Sequence, residues 1–242
     1  MALIDDLLDR LCQRVVSIAS KTGIGRRVLG NNIWWNASSV TLRTALLATR
    51  GSSSFGQAMR ISRELVEDIT PWLPRDAIAM EFGSGVGLNT LVLSSYCRKV
   101  VGVDMSKQLV RIANKLAKDT WNVTFTCYDG RRIPFSEETF DFVFSVGVFE
   151  RIDKEMVQEY LHEIARVLRL DGVTYLYFLS HRALNTDFIR RLGRESYFYF
   201  SDEEAASAVR GAGMNVITVI DKPVAVIVLA RKSPVRIGVP SN

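Results

Sequence analysis

The stretch that decides the fold is A-I-A-M-E-F-G-S-G-V-G at residues 77–87. The apolar run at 77–82 predicts a buried strand, and a helical pattern opens at Gly87. The glycines between them allow a sharp turn and leave room for a ligand close to the backbone. A strand, a glycine loop and a helix in this order indicate a nucleotide-type cofactor site, although a tight turn without a ligand would have the same pattern.

An acidic residue farther along the chain favours the cofactor interpretation. Asp104 ends the next predicted strand, 21 residues after Gly83. At the carboxyl edge of a sheet, a carboxylate in this position can accept hydrogen bonds from ribose hydroxyls. Leu88 stands where the dinucleotide fingerprint has its last glycine, which disfavours NAD.

Working outward, short apolar runs alternate with helical periods, a pattern typical of a parallel sheet. The last two strands are separated only by Asp221-Lys222-Pro223, so they should form an antiparallel hairpin. The predicted fold is α/β, a Rossmann-like seven-stranded mixed sheet with its last strand antiparallel and helices on both faces. The predicted strands are 77–82, 99–104, 123–127, 141–146, 173–179, 215–220 and 224–230, and the predicted helices are 87–97, 106–118, 154–168 and 202–212.

The N-terminal region should form a separate helical cap. Apolar residues at three- and four-residue steps predict an amphipathic helix over 3–19, and another helix over 55–69 should stop before Pro71. We therefore divide the chain into an N-terminal helical cap or lid at 1–75, a cofactor-binding domain at 76–233 and a C-terminal tail at 234–242.

The charge is unevenly distributed. The 242 residues carry a net charge of +5, which is too small to indicate a nucleic-acid binder by itself. Nine basic residues and no acidic ones lie between Arg10 and Arg63. This block could be a solvated face, or it could bind an anionic substrate, a membrane surface or a nucleic acid.

Cysteine usage and hydropathy predict a cytoplasmic protein. The three cysteines have no C-x-x-C spacing and indicate no disulfide framework. No apolar run approaches the roughly 20 residues that a membrane-spanning helix needs, and the N-terminus is acidic where a signal peptide is basic. We predict no metal site.

The motif at 81–87 resembles the first motif of the class I S-adenosylmethionine-dependent methyltransferases, which is an acidic residue followed by G-x-G-x-G. The likeness continues in order over residues 77 to 231 and points to the small-molecule branch, similar to the ubiquinone and menaquinone methyltransferases. Arg151 replaces the histidine of the V-L-E-H-I segment that is common in that branch. The further segments that carry the resemblance are C-Y-D-G at 127–130, I-P-F at 133–135, F-D-F-V-F-S at 140–145, V-F-E-R-I at 148–152 and E-I-A-R-V-L-R-L-D-G at 163–172.

The resemblance implies S-adenosylmethionine as the cofactor and assigns residues to it. Asp104 would hold the ribose, Met105 would pack on the adenine and Asp129 would meet the adenine amino group. The other residues implied in cofactor binding are Glu81, Gly83, Ser84, Gly85, Gly87, Gly130 and Ser145.

Methyl transfer from a sulfonium mainly requires orientation and exclusion of water, so a catalytic side chain is optional. His181, after the strand at 173–179, could act as a base, or it could be an ordinary surface residue. Glu150 could contact substrate, but we favour a helix-capping role for it. Trp34, Trp35 and the aromatic cluster at 197–200 could contact an apolar acceptor with an anionic part, or they could simply pack against the protein body.

The predicted function is S-adenosylmethionine-dependent methyl transfer to a small-molecule or lipid-linked acceptor, with an anionic part and possible contact with a membrane surface. An N-P-P-Y-like loop, found in many amino-group methylators of nucleic acid and protein, is absent at 145–148. The alternatives are an RNA methyltransferase, a non-catalytic S-adenosylmethionine-binding partner subunit and a nucleotide-dependent oxidoreductase.

Overall fold

The computed structural model describes residues 54–186 and 197–232, together with 35–36, 39, 41–43 and 45–46. The predicted helix at 3–19, Trp34 and the tail at 234–242 lie outside the described residues. The predicted division of the chain at residue 75 stays a prediction.

Seven strands form one mixed sheet in the order β3-β2-β1-β4-β5-β7-β6. Strands β1 to β5 are parallel to one another, and β7 is antiparallel to both of its neighbours, β5 and β6. The predicted mixed sheet and terminal hairpin are therefore confirmed. The strands are β1 (Ile78–Phe82), β2 (Lys99–Asp104), β3 (Val123–Cys127), β4 (Phe140–Ser145), β5 (Leu168–Leu179), β6 (Met214–Asp221) and β7 (Ala225–Lys232).

Helices cover both faces of the sheet because alternate residues of each strand point to opposite sides. In β1, Met80 and Phe82 join the core cluster under α4 and α5, whereas Ala79 joins the cluster under α1 and α2. The predicted two-layered cover is thus present. The α-helices are α1 (Phe55–Ile69), α2 (Leu88–Leu93), α3 (Lys107–Leu116), α4 (Lys154–Val167) and α5 (Asp202–Gly211); short 3-10 turns occupy Thr70–Trp72, Ser94–Tyr96, Phe149–Arg151 and His181–Asn185.

Strand β5 starts five residues earlier than predicted, at Leu168 rather than at residue 173. The segment Leu170-Asp171-Gly172 looked like a turn, but Leu168 already pairs with Phe140, and the register shifts before the next pair. Asp171 takes a positive φ of 61°, which accommodates this irregularity within the strand.

The described part of the N-terminal segment packs beside the glycine loop. Ala45 and Leu46 are buried in a cluster with residues of α1, the loop, α2 and α3. Asn36 Oδ1 accepts hydrogen bonds from Ser106 Oγ at 3.1 Å and from the backbone N–H of Gln108 at 3.0 Å. The segment is thereby attached to the start of α3, next to the end of β2.

No helix in the described ranges is long and apolar enough to cross a membrane.

Candidate functional site

A cavity of about 370 Å³ lies at the carboxyl edge of the parallel strands. Its size is in the range of pockets that hold one small ligand. The loops that follow β1, β2, β3 and β4 all contribute to it, together with the N-terminal segment and α4. The lining residues are Trp35, Glu81, Phe82, Gly83, Ser84, Gly85, Val86, Asp104, Met105, Leu109, Tyr128, Val146, Gly147, Val148, Arg151, Ile152, Met156 and Tyr160.

The glycine loop forms one wall of the cavity in a backbone conformation that side chains disfavour. Gly83, Gly85 and Gly87 have φ values of +75°, +56° and +80°. A Cβ on Gly83 would lie 2.2 Å from Val148 Cγ2, so the close approach of the β4 loop also requires glycine there. Because L-residues rarely adopt these angles, the loop depends on the glycine spacing that the sequence shows.

Glu81, the acidic residue of the motif, connects the two ends of the glycine loop. Glu81 is buried, and its Oε1 accepts a hydrogen bond from Asn89 Nδ2 at 2.7 Å. Its Oε2 accepts hydrogen bonds from the backbone N–H of Thr90, at 3.0 Å, and from the Thr90 hydroxyl. Glu81 therefore ties the end of β1 to the start of α2, across the loop that lies between them.

Asp104 joins the glycine loop to the start of α3. Its Oδ2 accepts a hydrogen bond from the backbone N–H of Gly85 at 2.8 Å, and its Oδ1 accepts one from that of Ser106 at 2.9 Å. Burial raises the pKa of this carboxyl group, while the backbone hydrogen bonds act in the opposite direction. A carboxylate has about four lone-pair sites, so Asp104 keeps acceptor capacity for a ribose hydroxyl beyond its backbone hydrogen bonds.

The side chain of Ser84 indicates that the cavity takes a polar ligand. Ser84 is 3% exposed and lines the cavity, and no described group hydrogen-bonds to its Oγ. Buried polar atoms are normally satisfied, so an orphan at a cavity wall points to a ligand. With the Asp104 carboxylate and the side chain of Met105 on the same cavity, the residues present fit a nucleoside cofactor such as S-adenosylmethionine.

Two tyrosines that the sequence analysis did not single out form another wall. Tyr128 follows β3, and its hydroxyl is hydrogen-bonded to that of Tyr160 on α4. The Tyr160 hydroxyl donates to the carbonyl of Gly130 at 2.6 Å. Burial raises the pKa of both phenols, so both remain neutral hydrogen-bonding groups. Tyr160 and Met156, four residues apart on one helix face, were a signal that sequence reasoning could have used.

Four of the expected cofactor residues, Gly87, Asp129, Gly130 and Ser145, do not line the cavity. Asp129 is exposed, and its Oδ1 accepts hydrogen bonds from the backbone N–H groups of Arg131 and Arg132, which lower its pKa. The buried Ser145 hydroxyl donates to the carbonyl of Phe82 at 3.1 Å, linking β4 to β1. A Cβ added to Gly130 would lie 2.9 Å from Met105 Cε and 3.7 Å from the Tyr160 hydroxyl, so Gly130 neighbours two lining residues. Contact of these residues with a cofactor stays a prediction.

The two predicted bases lie in different surroundings. His181 is half exposed, and its Nε2 lies 3.3 Å from Glu204 Oε2 on α5, away from the cavity lining. Glu150 is buried beside the cavity wall, since a Cβ added to Gly147 would lie 3.7 Å from Glu150 Oε1. The structure thus brings Glu150, and not His181, close to the cavity.

Arg151 is the one Lys, Arg or His among the described residues that line the cavity. Its Nε donates to the carbonyl of Gly147 at 3.1 Å. Its guanidinium carbon lies 5.1 Å from the ring centroid of Trp35 and 5.1 Å from that of Tyr197. Residues from three distant parts of the sequence therefore meet around the Arg151 side chain.

Comparison with known proteins gives a family for this site. Residues 80–176 match the family described as a methyltransferase domain. An uncharacterized methyltransferase, YcgJ, from Bacillus subtilis (strain 168) is 28% identical over 122 residues, covering 48% of this chain and 46% of that protein. The demethylmenaquinone methyltransferase of Tropheryma whipplei (strain Twist) is 28% identical over 102 residues, covering 42% of this chain and 41% of that protein. The chain thus spans less than half the length of these curated relatives.

The solved structures show the same fold. The PH0226 protein from Pyrococcus horikoshii OT3 superimposes with a TM-score of 0.63 at 20% sequence identity, covering 74% of this chain and 92% of that chain. The matched family segment runs from β1 through most of β5 and includes the glycine loop, Asp104 and Arg151. Residues 80–176 therefore match a methyltransferase-domain family, and the chain has the fold of solved S-adenosylmethionine-dependent methyltransferases.

Proposed function

We propose that the protein transfers a methyl group from S-adenosylmethionine to a small-molecule or lipid-linked acceptor that carries an anionic group. The observation that carries this proposal is that one cavity is lined by two chemically different sets of residues. The glycine loop and Asp104 would bind a nucleoside. Arg151 and Trp35 would bind an anionic group and the apolar body that carries it.

In cofactor binding, each residue has a distinct task. S-adenosylmethionine, when bound, supplies an electrophilic methyl group on its sulfonium. Asp104 accepts ribose hydroxyl hydrogen bonds, and the Ser84 hydroxyl bonds to a polar group of the cofactor. Glu81 acts indirectly, because its oxygens already bind Asn89 and Thr90 and so fix the glycine loop.

In methyl transfer, the protein mainly orients and dehydrates the reacting groups. Holding two reactants in the right geometry removes most of the entropic part of the barrier. If the acceptor must lose a proton, Glu150 is the better placed of the two predicted bases, because it lies next to Gly147 on the cavity wall. His181 would first have to leave Glu204.

The kind of acceptor is inferred from several weaker observations. The cavity is small and its lining is largely apolar, which suits a ring better than an RNA strand. One relative is named a demethylmenaquinone methyltransferase, and this supports a ring acceptor that is free or lipid-linked. Contact of the basic residues between Arg10 and Arg63 with an anionic membrane surface in the cytoplasm belongs to the same proposal.

Calorimetry and turnover separate this proposal from its alternatives. The full-length protein is titrated with S-adenosylmethionine, S-adenosylhomocysteine and NAD, and Gly85→Val serves as the cofactor-site control. Release of S-adenosylhomocysteine is then measured with a short-chain demethylated naphthoquinol, with anionic vesicles containing it, and with RNA at low and moderate salt.

We expect S-adenosylmethionine to bind, NAD not to bind, and turnover to require a ring acceptor, with ring acceptors that carry an anionic group preferred over the neutral naphthoquinol. Tighter binding of NAD would contradict the family-based cofactor assignment. Cofactor binding without turnover on any acceptor would favour a partner subunit, and turnover on RNA with a steep salt dependence would replace the small-molecule acceptor.

A further inference from the structure

The cavity lining carries a single positive charge among the described residues. Arg151 places a guanidinium on the same cavity that Asp104 and Glu81 line. The family resemblance leads to the expectation of a histidine at position 151. The chain therefore has a permanent charge, with a planar set of donors, where a titratable ring is usual.

Contacts with Gly147, Trp35 and Tyr197 help to determine where the Arg151 guanidinium lies. The Gly147 carbonyl accepts from Nε, and Gly147 itself belongs to the cavity wall. The Trp35 and Tyr197 rings, at 5.1 Å each, attract the cation through their negative faces. Because the side chain is held at its Nε and by two aromatic rings, its orientation toward the cavity is set before a ligand arrives.

Two other described cations near this region, Lys154 and Arg182, do not line the cavity. The Lys154 ammonium lies 2.9 Å from Glu204 Oε1 and 4.8 Å from the ring centroid of Phe200, and it does not line the cavity. Arg182 pairs with Asp202 and Asp221. Among the described residues, recognition of an anion inside the cavity therefore falls to Arg151.

A pre-oriented guanidinium recognises one chemical feature well. Its planar fork matches the two oxygens of a carboxylate or of a phosphate, and such bidentate pairs are stronger and more directional than neutral hydrogen bonds. Trp35, on the same cavity, supplies an apolar face for the ring that carries the anion.

We propose that Arg151 is the specificity-determining residue of the acceptor site and that it selects acceptors bearing an oxyanion, either a carboxylate or a phosphate ester, on an apolar or aromatic body. This inference rests on the proposed function, because it concerns the acceptor of the same cavity. Trp35 and Tyr197 act as positioning residues that hold the guanidinium.

The test uses matched ligands that differ only in charge. The full-length protein is saturated with S-adenosylhomocysteine and titrated by calorimetry with benzoate and benzamide, and then with phenyl phosphate and phenol. The variants are Arg151→Gln, Arg151→Lys and Trp35→Leu. Arg98→Gln is the control, since Arg98 is an exposed arginine outside the cavity lining. The melting temperature of every variant is recorded.

For the wild type and for Arg98→Gln, we expect the anion of at least one pair to bind more tightly than its neutral partner by a factor of about ten or more. This factor corresponds to the free energy of a hydrogen bond to a charged group. Arg151→Gln should remove this preference while keeping the affinity for S-adenosylhomocysteine. Arg151→Lys should keep part of it, and Trp35→Leu should reduce it although no charge is lost. The pair with the larger ratio distinguishes a carboxylate acceptor from a phosphorylated one.

Two results would overturn the inference. One is a wild-type protein that binds S-adenosylhomocysteine but prefers neither anion, and the other is an Arg151→Gln protein that retains the preference. If Arg151→Gln does not fold, the same comparison is made with Arg151→Lys and Trp35→Leu, and an undiminished preference in both would equally overturn it. Failure of the wild type to bind S-adenosylhomocysteine would instead contradict the proposed function.

Discussion

Replacing Asp104 with asparagine should weaken both the fold and cofactor binding. Its two oxygens each accept one backbone hydrogen bond, from Gly85 at 2.8 Å and from Ser106 at 2.9 Å. Asparagine offers one oxygen, so one of these buried N–H groups would face an amide NH₂ and lose its acceptor. A buried donor left unsatisfied costs about 1–3 kcal/mol. Part of this cost is offset because the substitution removes a buried charge, whose cost is evident in the raised pKa of Asp104.

We therefore expect a net loss of about 1–2 kcal/mol in the free energy of unfolding. For a chain of this size each kcal/mol lowers the melting temperature by about 2–4 °C. Loss of the charged acceptor for ribose should weaken S-adenosylhomocysteine binding by a further factor of about ten.

Scanning calorimetry measures the first effect, and titration calorimetry below the melting transition measures the second. Asp119→Asn is the matched control, because that side chain is 86% exposed on the surface and should change neither quantity. An Asp104→Asn protein with wild-type melting temperature and affinity would refute the reasoning. A lowered melting temperature with unchanged affinity would leave Asp104 as a loop anchor and disprove its ribose contact.

Three further predictions concern the same cavity. Ser84→Ala should leave the melting temperature unchanged or slightly raised, because the buried hydroxyl has no described partner, and should weaken S-adenosylhomocysteine binding by up to about tenfold; equal affinity would exclude the hydroxyl from the site. Gly85→Val should destabilise the loop by about 1–2 kcal/mol or more, because a branched residue must adopt a φ of +56°, and a folded variant with normal affinity would remove the loop from cofactor binding. Lowering the pH through the raised pKa of Asp104 should weaken binding of S-adenosylhomocysteine, since protonation removes the acceptor for ribose. The stability of the free protein should respond in the opposite way. Because the pKa of Asp104 is raised by folding, the contribution of this group to stability declines as the pH rises through that pKa. Titrations at a series of pH values upward from the ordinary pKa of an aspartate would show this dependence for the wild type and a flatter one for Asp104→Asn.

Most of the sheet was predictable because inner parallel strands are buried on both faces and appear as continuous apolar runs. Strand β1, predicted at 77–82, lies at Ile78–Phe82, and β2 lies at the predicted residues. The start of β5 was not predictable, because it depends on pairing between Leu168 and Phe140, which are distant in the sequence. Local turn signals at 170–172 indicated a break that the pairing overrides.

In the candidate site, too, features with a local sequence signal were predictable and features that depend on distant contacts were not. Glycine spacing and the strand-end position of Asp104 are local signals, and both residue types lie on the cavity. The contacts of Arg151 are not local, because Trp35 lies far before it in the sequence and Tyr197 lies far after it. Asp129 illustrates a different limit. It occupies the position that the family motif indicates, yet its carboxylate binds the backbone of its own turn.

Strand β7 comes last among the described strands but occupies an interior position in the sheet, between β5 and β6. During synthesis on the ribosome, the backbone groups on one edge of β5 therefore remain unpaired until residues 225–232 have emerged. An open apolar edge is a template for pairing with other chains, so nascent protein at this stage is exposed to aggregation and is a natural client for chaperones. A stop codon between Leu179 and Ala225 would keep the glycine loop and Asp104 in the product but leave the edge of β5 without its partner strand.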